Sequence, residues 1–139
     1  MAAFNKFNAF VEAMGRKLHN LNADTLKVML SNVAPVATNS VKADLTEIGA
    51  GNGYAAGGTA SAGNAYSQSS GTAKLTSGDV VFTASGGTIG PFRYAVLYND
   101  TATNDELIGW WDYGSGITLN SGETFTVDFD AAAGVLTLA

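Results

Sequence analysis

The sequence predicts a mostly β protein: an antiparallel β-sandwich or barrel, with an N-terminal α-helix and a glycine-rich extended arm. Three observations carry that prediction. Apolar and polar residues alternate with period two in short runs separated by Gly-, Asn- and Ser-rich turns. The one stretch with a strong helical period stands at the start. A segment too rich in glycine and alanine for strand or helix lies between them. The 139 residues form one domain, large enough to bury a core without metal or disulfide.

Residues 2–20 carry the helical period. Phe4, Phe7, Val11, Met14 and Leu18 recur at three- and four-residue spacing, and Phe10 and Leu21 widen the stripe. Such a helix either packs on the sheet or is an arm docking on a partner. Phe4, Phe7, Phe10, Val11 and Met14 are its candidate partner-facing residues. Residues 25–31 alternate as a half-buried strand, with Leu26, Val28 and Leu30 on one face and Met29 as the exception. Pro35 marks a loop, and Thr38, Asn39 or Ser40 can cap a short helix over residues 41–48.

From Ile48 to Ala73 there is no charged residue. Residues 49–64, GAGNGYAAGGTASAGN, bury little apolar area and have much backbone entropy to lose on ordering. This segment is either an arm that orders on a neighbouring subunit, through Tyr54, Gly57 and Gly58, or a flexible surface loop. It has no G-x-G-x-x-G spacing and no βαβ context, so it is not a dinucleotide fingerprint.

The β core spans residues 66–139 together with 25–31. Residues 66–75 read as one polar edge strand and 79–85 as the next. Residues 92–99 and 106–113 have apolar residues in both phases, which predicts a central pair covered on two sides and joined by a loop at 100–105. This stretch holds both tryptophans and three of the five tyrosines. Residues 114–116 and 120–122 read as turns, 124–130 as the cleanest alternating strand, and 135–138 as the last.

Charge narrows the chemistry. Charged residues are only 14% of the chain, against roughly 25% in ordinary soluble domains, which suits a surface hidden against neighbours. Residues 1–50 carry five basic and four acidic side chains (+1), and the rest carries two basic and eight acidic (−6). Without a basic patch to neutralise phosphates, direct nucleic-acid binding is not expected. The start lacks the basic-then-apolar pattern of a signal peptide and no run is long enough to span a membrane, so the expectation is a protein made in the cytoplasm.

No cofactor and no catalytic residue is expected. There is no cysteine, and the single histidine, His19, sits at the expected helix end, where the helix terminus favours its charged form. Asp128 and Asp130 lie about 6.6 Å apart on one strand face. That spacing fits paired glycosidase carboxylates or, with Asp112, a Ca²⁺ site, but it equally fits a wetted outer face. Trp110, Trp111, Tyr94, Tyr98 and Tyr113 suit either a sugar-stacking platform or a core. Arg93, isolated in an apolar strand, calls for a carboxylate, and Asp112 on the neighbouring strand is the candidate. These residues make Arg93–Tyr113 the structural spine.

The run TASGGTIGPFRYAVLYND (83–100), followed by LIGWWDYGSGITLNSGETFTVDFD (107–130) and the ending GVLTLA (134–139), resembles small virion structural proteins of tailed bacteriophages. Leu-Thr-Glu-Ile at 45–48 and Gly-Asn-Gly-Tyr at 51–54 belong to the same resemblance. It implies a non-enzymatic capsid decoration (cement) protein on the capsid exterior of the virion. Its partners would be the major capsid protein and itself, as a homo-oligomer with a trimer as candidate, and it would touch neither nucleic acid nor membrane. The alternative is a tail-associated or tail-fibre module that binds a receptor or glycan.

Overall fold

The computed structural model describes residues 2–139. The protein is mostly β, with antiparallel sheets and one N-terminal helix in a sandwich-like arrangement. The elements run β1 (Phe4–Lys6), α1 (Asn8–Gly15), β2 (Leu26–Ser31), β3 (Thr59–Ala60), β4 (Ala65–Ser69), β5 (Thr72–Thr76), β6 (Val80–Thr83), β7 (Ile89–Asn99), β8 (Leu107–Leu119), β9 (Thr124–Val127) and β10 (Leu136–Leu138). The main sheet has the order β1-β8-β7-β2-β3. Two smaller sheets, β10-β5-β4 and β6-β9, supply the facing layer.

The central pair is β7–β8, as its two apolar phases predict. One face of the main sheet presents Leu26, Val28, Leu30, Ala95, Leu97, Ile108 and Trp111 to Leu75, Val80, Phe82, Val127, Phe129 and Leu136. The other face buries Met29, Val96, Tyr98 and Leu107 under Phe7, with Leu45 and Trp110 packed at the rim. Met29 breaks the alternation of β2 because this second core needs it; its exposure is 0%. A shift of register between Leu97–Gly109 and Tyr98–Leu107 leaves Ile108 as an extra residue in β8. The bulge reverses the phase of the strand, so Ile108 and Trp111 share one core while Leu107 and Trp110 share the other.

Several expected elements differ. The helix expected over 2–20 is a three-residue strand, an eight-residue helix and a turn. Residues Phe4, Asn5 and Lys6 pair with Trp111, Trp110 and Gly109. Gly109 leaves room for the Phe4 ring that a Cβ would fill. The helix ends where Lys17 adopts the left-handed conformation at φ 66. There the N–H of Leu18 donates to Ala13 O at 3.0 Å and that of Lys17 to Met14 O at 3.3 Å, a Schellman stop.

The helix expected over 41–48 is one 3-10 turn at Lys42–Asp44. The Asp44 carboxylate takes the N–H groups of Ser40 (2.9 Å) and Val41 (3.3 Å). Beyond it the chain is drawn along β2, with the Ser31 hydroxyl donating to Thr46 O at 2.6 Å and Ile48 N–H to Leu30 O at 3.1 Å.

The strand expected over 66–75 is a hairpin. Ser70 and Gly71, at φ 52 and 83, form its two-residue turn, where positive φ at both positions matches the twist of the flanking strands. The turn expected at 114–116 is instead a wide bulge inside β8. Tyr94 faces Asp112 while Phe92 faces Ile117, so the intervening residues of β8 are accommodated without a reversal. The strand expected to reach Asp130 ends at Val127. The Asp130 carboxylate there accepts from Ala132 and Ala133 N–H, both at 2.8 Å, and starts the turn into β10.

Candidate interaction surface

The glycine-rich segment lies against its own sheet as a strap. Tyr54 is 2% exposed, and its hydroxyl donates to Glu47 Oε2 at 2.7 Å while accepting from Leu30 N–H at 3.0 Å. The same Glu47 oxygen accepts from Gly57 N–H at 2.6 Å, and Tyr98 donates to Gly57 O at 2.5 Å. Lys42 Nζ stands 3.6 Å from the other Glu47 oxygen. Burial, reinforced for Tyr54 by the hydrogen bond to Glu47, raises the pKa of both phenols. Both therefore stay protonated donors at neutral pH. Gly58, at φ +81, crosses β2 so closely that a Cβ would overlap the Val28 carbonyl. β3 then pairs with β2, and the Asn52 side chain reaches Thr88 O at 2.9 Å. Tyr54, Gly57 and Gly58, expected to face a partner, hold the strap to this chain instead.

The N-terminal aromatics are corrected in the same way. Phe7 is 0% and Phe10 2% exposed. Phe7 packs on Trp110 at 4.5 Å between ring centres, and Phe4 meets Trp111 edge-on at 5.4 Å. Met14 is half-buried against the first core. Of the five residues expected at the docking face, only Val11, at 47%, is exposed. Val33 and Val36, which carry no periodic signal in the sequence, are 55% and 54% exposed on the loop after β2. Asn8 N–H donates to Ala37 O at 2.9 Å and ties that loop to the first turn of α1. The outward apolar side chains of this end therefore come from two segments, and no periodicity links them.

The aromatic spine residues are buried or half-buried, and the Arg93–Asp112 pair lies at the surface. Arg93 makes the expected pair with Asp112, and it is two-pronged: Nε donates to Oδ1 at 2.8 Å and a terminal nitrogen to Oδ2 at 3.1 Å. The guanidinium also lies 5.4 Å from the centre of the Tyr94 ring. The Arg93 hydrogen bond, then the N–H of Gly114, holds the Asp112 carboxyl below its ordinary value. Trp111, Tyr98 and Tyr94 are 1%, 1% and 8% exposed, so they cannot offer a sugar-stacking platform. Trp110 is half-buried against Phe7. Tyr113 packs edge-on to Phe125 at 4.9 Å, and burial lifts its phenol to about 12.

The acidic residues serve the backbone. Asp79, Asp128 and Asp130 border one shallow depression. There Asp79 accepts from Phe129 N–H at 2.8 Å, and the Ala133 and Ala132 N–H groups keep the Asp130 carboxyl below its usual range. Asp112 is engaged with Arg93, away from them. Among the described residues no group of three His, Cys, Asp or Glu side chains is placed to hold a metal ion.

His19 lies beyond the end of α1 in a buried polar cluster, 7% exposed. Asn99, at 0% exposure the end of β7, places its Nδ2 3.0 Å from His19 Nδ1 and 2.7 Å from Asp24 Oδ2. The Asn99 Oδ1 accepts from the N–H groups of Thr101 (3.0 Å) and Ala102 (3.2 Å). Burial lowers the His19 pKa and outweighs the nearby carboxylates of Glu106 and Asp24, which raise it. The expectation that the helix terminus would favour the imidazolium is thereby reversed. Nothing in the sequence joins Asn99, Asp24 and His19, which only the sheet brings together.

No family model, no curated protein and no solved structure matches this chain. No helix among the described residues is long and apolar enough to cross a membrane.

Proposed function

We propose that this chain is a non-enzymatic structural protein of a bacteriophage particle, decorating the capsid exterior and stabilising the major capsid shell as a homo-oligomer. The reading starts from the resemblance carried by residues 83–130. The observation that supports it is the weakly charged surface: Val11, Val33 and Val36 project at the α1 end. The uncharged residues 48–73 cover the strap, β4 and the turn into β5. Such surfaces lose little solvation when buried against a neighbour. A symmetric shell presents many equivalent sites, so closed oligomers engage several at once and modest contacts give lasting occupancy.

Electron microscopy and quantitative mass spectrometry of the intact particle test the proposal. Hundreds of copies on the shell are expected. A few tens of copies at the tail would move the protein to the alternative role, and absence from particles would remove both. In a binding assay on purified shells, Val33→Asp with Val36→Asp should leave unfolding unchanged and abolish occupancy.

A further inference from the structure

We propose that His19, Asn99 and the loop of residues 100–105 form a proton-gated latch, in which protonation of the His19 ring releases the loop from Asn99. The inference does not depend on the functional reading above.

The latch follows from counting donors and acceptors around Asn99. Its amide nitrogen has two hydrogens, and these face His19 Nδ1 and Asp24 Oδ2. Its oxygen has two lone pairs, and these face the N–H groups of Thr101 and Ala102. All four positions are filled, and the neighbours fix the orientation. A flipped amide would set NH₂ against two backbone N–H groups and its oxygen against the Asp24 carboxylate. His19 Nδ1 must therefore be an acceptor. The neutral ring then carries its proton on Nε2, which is buried without a partner among the described residues.

A second proton has to enter at Nδ1, where it meets the Asn99 NH₂ donor head-on. Turning the amide over satisfies the imidazolium but strips Thr101 and Ala102 of their acceptor. No orientation of Asn99 serves both the charged ring and the loop. The charged groups around the ring are Asp24, itself held by Asn20 N–H at 2.8 Å, and Glu106, with Lys17 on the rim of the adjoining cleft. The two carboxylates stabilise the imidazolium once formed, and the desolvation of the buried ring opposes it.

The cleft beside His19 has a volume of about 500 Å³, and Thr101, Ala102 and Thr103 form one of its walls. The base of the loop has its own fastenings. Asp100 N–H donates to Thr25 O at 2.9 Å, Thr25 N–H donates to Thr101 Oγ1 at 2.8 Å, and Lys27 pairs with Asp100 at 3.3 Å. Release is therefore confined to the backbone N–H groups of Thr101 and Ala102, and the strand pair β2–β7 stays intact.

With one histidine in the chain, a single imidazole reports the switch. Titration of isotope-labelled protein from pH 8 downward by NMR should show the amide signals of Thr101 and Ala102 moving with the imidazole's midpoint, which burial lowers from the ordinary value. Their hydrogen exchange, normalised to unstructured rates, should rise about fivefold or more across it. In His19→Phe both responses should vanish. Thr101 and Ala102 signals that stay flat through the imidazole's midpoint in the wild-type protein would overturn the latch, whether or not the variant folds.

Discussion

Replacing Tyr54 by Phe removes one oxygen from the centre of the strap and leaves the ring in place. That oxygen accepts from the Leu30 N–H at 3.0 Å, and its hydroxyl is one of two donors to Glu47 Oε2 among the described residues, at 2.7 Å. A buried donor left without a partner costs about 1–3 kcal/mol, and a hydrogen bond to a carboxylate contributes about 1.5–3 kcal/mol. Glu47 keeps Gly57 N–H and Lys42, so it is not stranded, and the two losses overlap. The expected destabilisation is about 3 kcal/mol, or roughly 10 °C in Tm for a domain of this size. Urea unfolding measures the first quantity, and hydrogen exchange at the Leu30 amide tests its cause. A loss under about 0.5 kcal/mol with Leu30 still protected would refute the assignment of the strap's anchor to this hydroxyl.

Gly58→Ala should destabilise at least as strongly, because its Cβ overlaps the Val28 carbonyl and its φ is +81. Gly49→Ala, with nothing within 4 Å of the added carbon, should stay within about 0.5 kcal/mol by the same urea assay. Deleting residues 1–20 should abolish cooperative unfolding in calorimetry, since it removes β1 and both Phe7 and Phe10 from the two cores. A truncated chain that still melts in one sharp transition would restore the detachable-arm reading.

The single histidine also gives stability a pH signature. Burial holds the folded pKa of His19 below the ordinary imidazole value of about 6.5, so the unfolded chain takes the proton first as pH falls. Stability is fully present above pH 6.5 and declines as pH drops from there toward the folded value. Asp112 and Asp130, held below the ordinary carboxylate range, begin to contribute their own loss only in more acid solution. A stability curve that is level between pH 6.5 and 5 would contradict the burial of a neutral His19.

Much of the fold was legible because strand alternation and turn residues are local properties. β2, β6, β7, the first half of β8, and β9 fall where period two places them, and the Arg93–Asp112 pair follows from an isolated cation opposite an isolated carboxylate. The hairpin turn at Ser70-Gly71 was also available, as a Ser-Gly turn dipeptide between polar runs. The candidate surface was less legible. The helical stripe at the start mixes residues of two structures, because Phe4 is spaced from Phe7 as on a helix while it lies in a strand beside Gly109.

By itself the sequence determined the class of fold, the central aromatic strand pair, the scarcity of charge and the want of thiol chemistry. Only the tertiary structure decided where the uncharged segment lies and which aromatic side chains face solvent. Both depend on contacts between residues far apart in the chain: Tyr54 under the Leu30 amide, Gly58 across Val28, Phe7 on Trp110. Composition shows that residues 49–64 bury little area of their own. It cannot show that Glu47, Tyr54 and Tyr98 converge to hold them, because that convergence exists only once β2 and β7 are paired.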